Sequence, residues 1–262
     1  MQKDFMAIAP HDAAVSEAAF VEQYWTRIWQ SMGGPGKIPA NLTRKPEYRA
    51  LAPYLAKLPQ GARILDGGCG LGEWAAQLAA AGFDATGLDI SRETVAALKK
   101  ALPGATFAVG DIRATGFPDN HFDLYFSWGV FEHFEEGLQP CIREAFRILK
   151  PGAHLLISVP FDSLRIQWIR SRRPVDAADP SRRFYQWRLT AKEIAGELAR
   201  GGFENVEHQL IHVRQGLLRG LQHHLGLSHK WRFSRALSLA LRPVAPPPVF
   251  AHMIVAVARK PG

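Results

Sequence analysis

The run Asp66-Gly67-Gly68-Cys69-Gly70-Leu71-Gly72 sets four glycines just behind one carboxylate, directly after the apolar Ile64-Leu65. Glycines at such a point let the backbone turn tightly, approach a ligand closely and pack against a sheet. Part of the run, Gly70-Leu71-Gly72-Glu73-Trp74-Ala75, fits the dinucleotide fingerprint, and Asp89 falls about where that fold keeps a ribose-binding acid. Hydride transfer from a nicotinamide cofactor is therefore one chemistry that the spacing allows. Metal chemistry has less to stand on. Cys69 and Cys141 have no partners at ligand spacing, Asp119-Asn120-His121 follows Pro118 in a turn-like segment, and His223-His224 lies in a basic stretch. No metal site is expected.

The elements that must position these residues alternate between short apolar strands and helices of about ten residues. Strands are expected at 63–65, 85–88, 106–109, 122–126 and 154–159, with helices over 72–81, 91–102 and 138–149. Ser91 caps one helix and Glu93 sits in its first turn. Ahead of them lie an amphipathic helix over 17–31, stopped by Gly33-Gly34-Pro35-Gly36, and a helix over 46–57. The pattern implies an α/β domain with a parallel sheet and helices on both faces. A further helix from Thr190 to Arg200 and strands over 203–213 and 252–259 complete the chain, with a long leucine- and arginine-rich stretch between those strands.

The chain has 262 residues, 47% apolar and 21% charged, which excludes disordered, collagenous and disulfide-scaffold classes. Two cysteines suit a reducing cytoplasm, and Asp4, His11 and Asp12 stand where a secretory leader would need an apolar run. A cytoplasmic location is expected. The net charge of +8 is uneven: residues 1–160 hold 15 Lys/Arg against 17 Asp/Glu, and residues 161–262 hold 17 against 7. Such a one-sided basic region attracts nucleic acid, acidic headgroups or a phosphorylated substrate.

Asp66-x-Gly68-x-Gly70-x-Gly72 resembles the first motif of the class I S-adenosylmethionine-dependent methyltransferases. The later motifs follow in order: Gly87-Leu88-Asp89-Ile90-Ser91, Val109-Gly110-Asp111-Ile112, Asn120-His121-Phe122-Asp123-Leu124 with Val130-Phe131-Glu132-His133, and Leu149-Lys150-Pro151-Gly152. They are of the small-molecule, ubiquinone/menaquinone-biosynthesis-like type and cover roughly residues 61–161. An acid at the strand end suits a ligand with an ammonium group, whereas it would repel a pyrophosphate. The resemblance implies a Rossmann-like, seven-stranded, mostly parallel sheet with an antiparallel last strand. It implies S-adenosylmethionine as cofactor, with Asp66, Gly68 and Gly70 at its methionine end, Asp89 at the ribose, Asp111 and Ile112 at the adenine, and Ile90 and Ser127 also in contact. Residues 1–60 are then expected to form a helical cap over the cofactor site. Residues 61–262 are expected to form the methyltransferase domain, with a basic amphipathic insertion at about 208–249.

A sulfonium is already an activated electrophile, so the protein must chiefly hold the nucleophile in line in a dry pocket. A hydroxyl acceptor also needs a base, and His133, just after the fourth strand, is the candidate. Phe126-Ser127-Trp128-Gly129 differs from the Asn/Asp-Pro-Pro-aromatic motif of amino-methylating base enzymes, so a small or lipid-linked acceptor is favoured over nucleic acid. Leu217, Leu218, Leu221 and Leu225 form one helical stripe in the insertion, and Trp231, Phe233, Leu237 and Leu241 lie among Arg232, Arg235 and Arg242. Arg165, Arg170, Arg172, Arg173, Arg182 and Arg183 extend the positive region. This composition fits either a substrate lid or a peripheral contact with the anionic inner face of a membrane. Nucleic-acid methylation and a non-catalytic, cofactor-binding scaffold at a membrane are the alternatives.

Overall fold

The computed structural model describes residues 1–8, 15–34, 42–172, 179 and 181–262. Pro35, Gly36 and Arg173 lie outside the described residues. In chain order the elements are β1 (Gln2–Ala7), α1 (Glu17–Ser31), α2 (Pro46–Leu55), β2 (Arg63–Gly67), α3 (Glu73–Ala80), β3 (Asp84–Asp89), α4 (Arg92–Ala101), β4 (Thr106–Val109), β5 (Phe122–Trp128), α5 (Gln139–Ile148), β6 (Leu149–Pro160), α6 (Leu164–Arg172), β7 (Arg182–Arg188), α7 (Ala191–Arg200), β8 (Glu204–Ile211), α8 (Val213–Leu225), α9 (Arg232–Leu241), α10 (Pro247–Phe250) and β9 (Met253–Arg259).

Seven strands form one sheet in the order β4-β3-β2-β5-β6-β9-β8. The pairings β4-β3, β3-β2, β2-β5 and β5-β6 are parallel, and β9 runs antiparallel to both of its neighbours. The strand order reverses between β2 and β5, the point at which open α/β sheets bind ligands beyond their strand ends. The register brings Asp66 level with Gly87, and Asp89 level with Val109, so the ends of three strands meet.

Alternation along each strand feeds a core on either face of the sheet. On β6, Leu155, Ile157 and Val159 pack with Leu138, Ile142, Ile194 and Leu198 of the α5/α7 layer, whereas Leu156 packs with Leu51, Leu55 and Leu78 of the α2/α3 layer. Local signals set the helix starts. The Ser91 side chain accepts from Thr94 N–H at 3.1 Å, and Thr190 with Glu193 forms a capping box at α7.

Several boundaries differ from the sequence expectations: β6 begins at Leu149 and not at 154, and two further differences bear on the domain division. The first residues are not wholly helical: β1 pairs antiparallel with β7 in a separate two-stranded ribbon, tied by Arg188 Nε to Asp4 Oδ2 at 2.6 Å and by Lys3 Nζ to Glu135 Oε1 at 2.7 Å. The insertion begins at residue 212 and not at 208, because β8 continues to Ile211, which stays in register with Met253 of β9. Its leucine stripe is also incomplete: Leu217 and Leu221 are buried, but Leu225 is exposed.

Candidate functional site

Two cavities flank the β2–α3 turn, and both are lined by Trp29, Gly68 and Trp128. The first, of about 150 Å³, is lined by Asp89, Ile90, Asp111 and Ile112 together with Trp25, Val130, His133 and Phe134. The second, of about 320 Å³, is lined by Lys45, Glu47, Asp66 and Gly70. The turn is held open by backbone geometry. Gly68 has φ +78° and Gly70 φ +51°, and their N–H groups are spent on Leu88 O at 2.7 Å and Asp89 Oδ2 at 2.9 Å. A Cβ on Gly68 would meet Val130 Cγ2 at 2.4 Å, and one on Gly70 would meet Trp29 at 2.8 Å. No larger residue fits either position without displacing a cavity wall.

The charges suit an adenosyl amino acid. Asp66 is 3% exposed, its Oδ2 lacks any hydrogen-bond partner, and burial pushes its pKa well above the usual carboxylate range. A buried carboxylate oxygen without a donor is costly, and an ammonium group would satisfy it. Trp29 Nε1 and Trp128 Nε1 are likewise buried donors without partners. These indoles would supply donors for a carboxylate on the same ligand, whereas Lys45 nearby is already paired with Glu73. Asp89 accepts from Gly70 N–H through one oxygen and from Ser91 N–H through the other, both at 2.9 Å, and burial raises its pKa. Those bonds fix its plane and leave one lone pair on each oxygen, the arrangement a cis-diol needs.

Three expected residues have fuller lives than sequence suggested. Asp111 lines the first cavity, but Arg113 grips it bidentately through Nε at 3.1 Å and Nη2 at 2.7 Å. Few of its lone pairs remain for an adenine amino group. Ser127 lines neither cavity: it is buried and donates to Gly67 O at 2.6 Å, which pins β5 to the end of β2 behind the glycine turn. His133 closes a 3-10 turn (Phe131–His133) and reaches the first cavity. Its Nδ1–H donates to Tyr185 O at 2.7 Å, which leaves Nε2 as the unprotonated nitrogen. Burial outweighs the carbonyls of Tyr185 and Gly129 and lowers its pKa to about 4, so the imidazole is neutral at pH 7. Neighbouring Glu132, 2% exposed, is pushed up to about 8 by burial and is mostly protonated there.

The aromatic wall was not anticipated. Trp25 and Trp29 of α1 stack at 5.3 Å, and Trp25 meets the His133 ring edge-on at 5.0 Å. Their i, i+4 spacing on an amphipathic helix was the available signal. The helix is tied down by Thr26 Oγ1 on Ser91 Oγ at 2.7 Å and by Gln30 on Glu93 at 2.6 Å. Among the described residues no group of three or more His, Cys, Asp or Glu is placed to hold a metal, and no helix is long and apolar enough to cross a membrane.

Comparison with known proteins gives a consistent picture. A family described as "Methyltransferase domain" matches residues 41–208. The malonyl-[acyl-carrier protein] O-methyltransferase of Erwinia billingiae is 33% identical over 135 residues, 51% of this chain and 53% of that protein. The 2-methyl-6-phytyl-1,4-hydroquinone methyltransferase of Synechocystis is 36% identical over 108 residues, 40% of this chain and 34% of that one. The chain spans about half the length of the first of these relatives, or less. Among solved structures, Haemonchus contortus phosphoethanolamine N-methyltransferase 2 with S-adenosyl-L-methionine has a TM-score of 0.61 at 22% identity, covering 95% of this chain and 61% of that one. The [4+2]-cyclase SpnF has the same TM-score and identity, covering 95% and 98%. Likeness at that level fixes the fold and leaves the reaction open.

Proposed function

The chain belongs to the class I S-adenosylmethionine-dependent methyltransferase family, and from that premise we propose that it transfers a methyl group to a hydroxyl of a small or lipid-linked metabolite by in-line displacement. The observation that carries this reading is the orphaned Asp66 carboxylate beside a glycine turn in one cavity, with Asp89, at the end of the neighbouring strand, and His133 both lining the adjoining cavity. When bound, S-adenosylmethionine supplies an electrophilic methyl group. Asp66 holds the ammonium end and Asp89 the ribose hydroxyls. Trp25, Trp29, Val130 and Phe134 keep water from the reacting atoms.

His133 takes the acceptor's proton on Nε2, since Nδ1 is committed to Tyr185. Its low basicity is no obstacle for this chemistry. An oxygen that gains a methyl group becomes a strong acid as the new bond forms, so a neutral imidazole at contact distance removes its proton. An oxygen acceptor is compatible with a relative that is named as an O-methyltransferase.

The surface favours a lipid-linked acceptor. On α9 the buried residues are Ser234 and Ser238, whereas Phe233 is 63% exposed and Leu239 55% exposed. Trp231 and Val244 at either end of the helix are exposed as well, with Arg232, Arg235 and Arg242 between them. A helix that turns serines inward and aromatic and aliphatic residues outward beside arginines suits the interface of an anionic bilayer.

The test uses purified protein, methyl-labelled S-adenosylmethionine and a cell extract separated into aqueous metabolites, lipids and macromolecules. Label in the lipid fraction is expected. Label confined to aqueous metabolites would make the insertion a lid only, and label in nucleic acid would overturn the acceptor class. Cofactor binding with no transfer to any fraction would favour the scaffold alternative.

A further inference from the structure

Beyond the cofactor cavities, three arginines from separate elements lie close enough to feel one another's charge, and α8 packs on α6 where Gly220 meets Arg165. Arg188 ends β7, is 8% exposed, and donates through Nε to Asp4 and through Nη1 to Phe161 O at 3.5 Å. Arg165 lies on α6, and its Nε is buried without a hydrogen-bond partner. Arg219 lies on α8, immediately before Gly220, where a Cβ would sit 3.8 Å from Arg165 Cδ. Arg165 and Arg219 each feel the positive field of Arg188, and all three bear on His252, whose pKa falls to about 3, through burial first and then through these charges and His212. His252 is thus neutral and adds no charge.

Among the described residues, the carboxylates in reach do not balance this group. Asp4 serves Arg188, and Asp162 is held bidentately by Arg170 at 2.9 and 3.0 Å. Glu132, which also faces Arg188, is mostly protonated at neutral pH. Three guanidiniums against one carboxylate leave two positive charges in a partly buried cluster, which destabilises it until a dianion arrives. The position is also informative. Tyr185, whose phenol lies in the field of Arg219, gives its backbone carbonyl to His133 and packs its ring 5.1 Å from that imidazole.

We propose that Arg165, Arg188 and Arg219 form a subsite for a phosphate monoester group carried by the methyl acceptor. The proposal rests on the methyl-transfer reading for the word acceptor, but the anion site itself stands apart from it. Guanidinium forks match phosphate oxygens in pairs, and the open flank at Arg219 leaves a way in. The basic insertion then contributes a substrate contact through α8, while its other helix faces outward.

Inorganic phosphate is the probe. Melting of the full chain is followed against phosphate concentration, with sodium chloride at matched ionic strength as control, in wild type, Arg165→Ala/Arg219→Ala, Arg219→Ala and Arg242→Ala. S-adenosylhomocysteine affinity is measured on the same samples by calorimetry. Phosphate is expected to stabilise the wild type saturably, the double variant to weaken this at least about tenfold, and Arg242→Ala to leave it unchanged. If the double variant does not fold, Arg219→Ala, at an exposed position, must show the weakening. S-adenosylhomocysteine affinity is expected to stay within about twofold throughout. Phosphate acting no better than chloride, or an equal loss in Arg242→Ala, would overturn the site, and malonate outcompeting phosphate would overturn the ligand class. Failure of the wild type to bind S-adenosylhomocysteine would instead sink the methyl-transfer reading.

Discussion

Replacing Gly68 by alanine separates two costs that the glycine turn avoids. Gly68 has φ +78°, and its new Cβ would lie 2.4 Å from Val130 Cγ2, 2.9 Å from Cγ1 and 3.1 Å from Cβ. Gly61 has nearly the same φ, +74°, but nothing within 4 Å of its would-be Cβ. Left-handed backbone costs a non-glycine residue roughly 1–2 kcal/mol, so Gly61→Ala should destabilise by about that much. Overpacking a closed site adds roughly 1–3 kcal/mol, so Gly68→Ala should cost about 2–5 kcal/mol. Adding Val130→Ala removes the two nearest atoms and leaves the Cβ contact, so the pair should show a favourable coupling of about 1–3 kcal/mol. Urea unfolding of the wild type, Gly61→Ala, Gly68→Ala, Val130→Ala and the Gly68→Ala/Val130→Ala pair measures these terms, and S-adenosylhomocysteine titration should show Gly68→Ala weaker than Gly61→Ala, since Gly68 and Val130 both line the first cavity. Equal stability losses at Gly61 and Gly68, or no coupling with Val130, would refute the claim that this turn is shaped by close approach.

Glu132 and His133 should titrate in opposite senses. The Glu132 carboxyl, raised in the folded state from an ordinary 4.5 to about 8, contributes stability that is fully present below pH 4.5 and fades as pH rises through 8. At ~1.4 kcal/mol per pKa unit the loss approaches about 5 kcal/mol, and Glu132→Gln should flatten it in pH-dependent urea unfolding. His133, lowered from 6.5 to about 4, contributes stability present above pH 6.5 and lost as pH falls through 4, a slope that His133→Asn should remove. The same variant should lower kcat at least about a hundredfold with S-adenosylhomocysteine affinity unchanged, and no histidine-derived break in rate should appear between pH 5 and 8.

Much of this site could be read from the sequence because its parts are local. Asp66, Gly68 and Gly70 belong to one turn, and Asp89 and Ile90 end the next strand, so a strand–turn–helix reading already brings them together. What stayed hidden depends on contacts between distant segments. The tautomer of His133 is set by the carbonyl of Tyr185, 52 residues later. The β1–β7 ribbon joins residues 2–7 to 182–188, and Lys3 and Asp4 give the first of these strands no apolar alternation to announce it. Ser127 and Asp111 show the converse. Each occupies a motif position, yet one spends its hydroxyl on Gly67 and the other its oxygens on Arg113, two residues away. A side chain's type and place mark a candidate, and its other hydrogen bonds decide what it has left to offer.

The proposed contact of Asp66 with the methionine ammonium is the most direct link between the fold and the cofactor. Calorimetric titration of S-adenosylhomocysteine and of its analogue lacking the α-amino group, against wild type and Asp66→Asn, measures that link from both sides. A hydrogen bond to a charged group contributes roughly 1.5–3 kcal/mol, so the wild type should prefer the amine-bearing ligand by about 10- to 150-fold, and Asp66→Asn should lose most of that preference. Equal binding of the two ligands by the wild type, or an undiminished preference in Asp66→Asn, would contradict the placement of the methionine ammonium on this carboxylate.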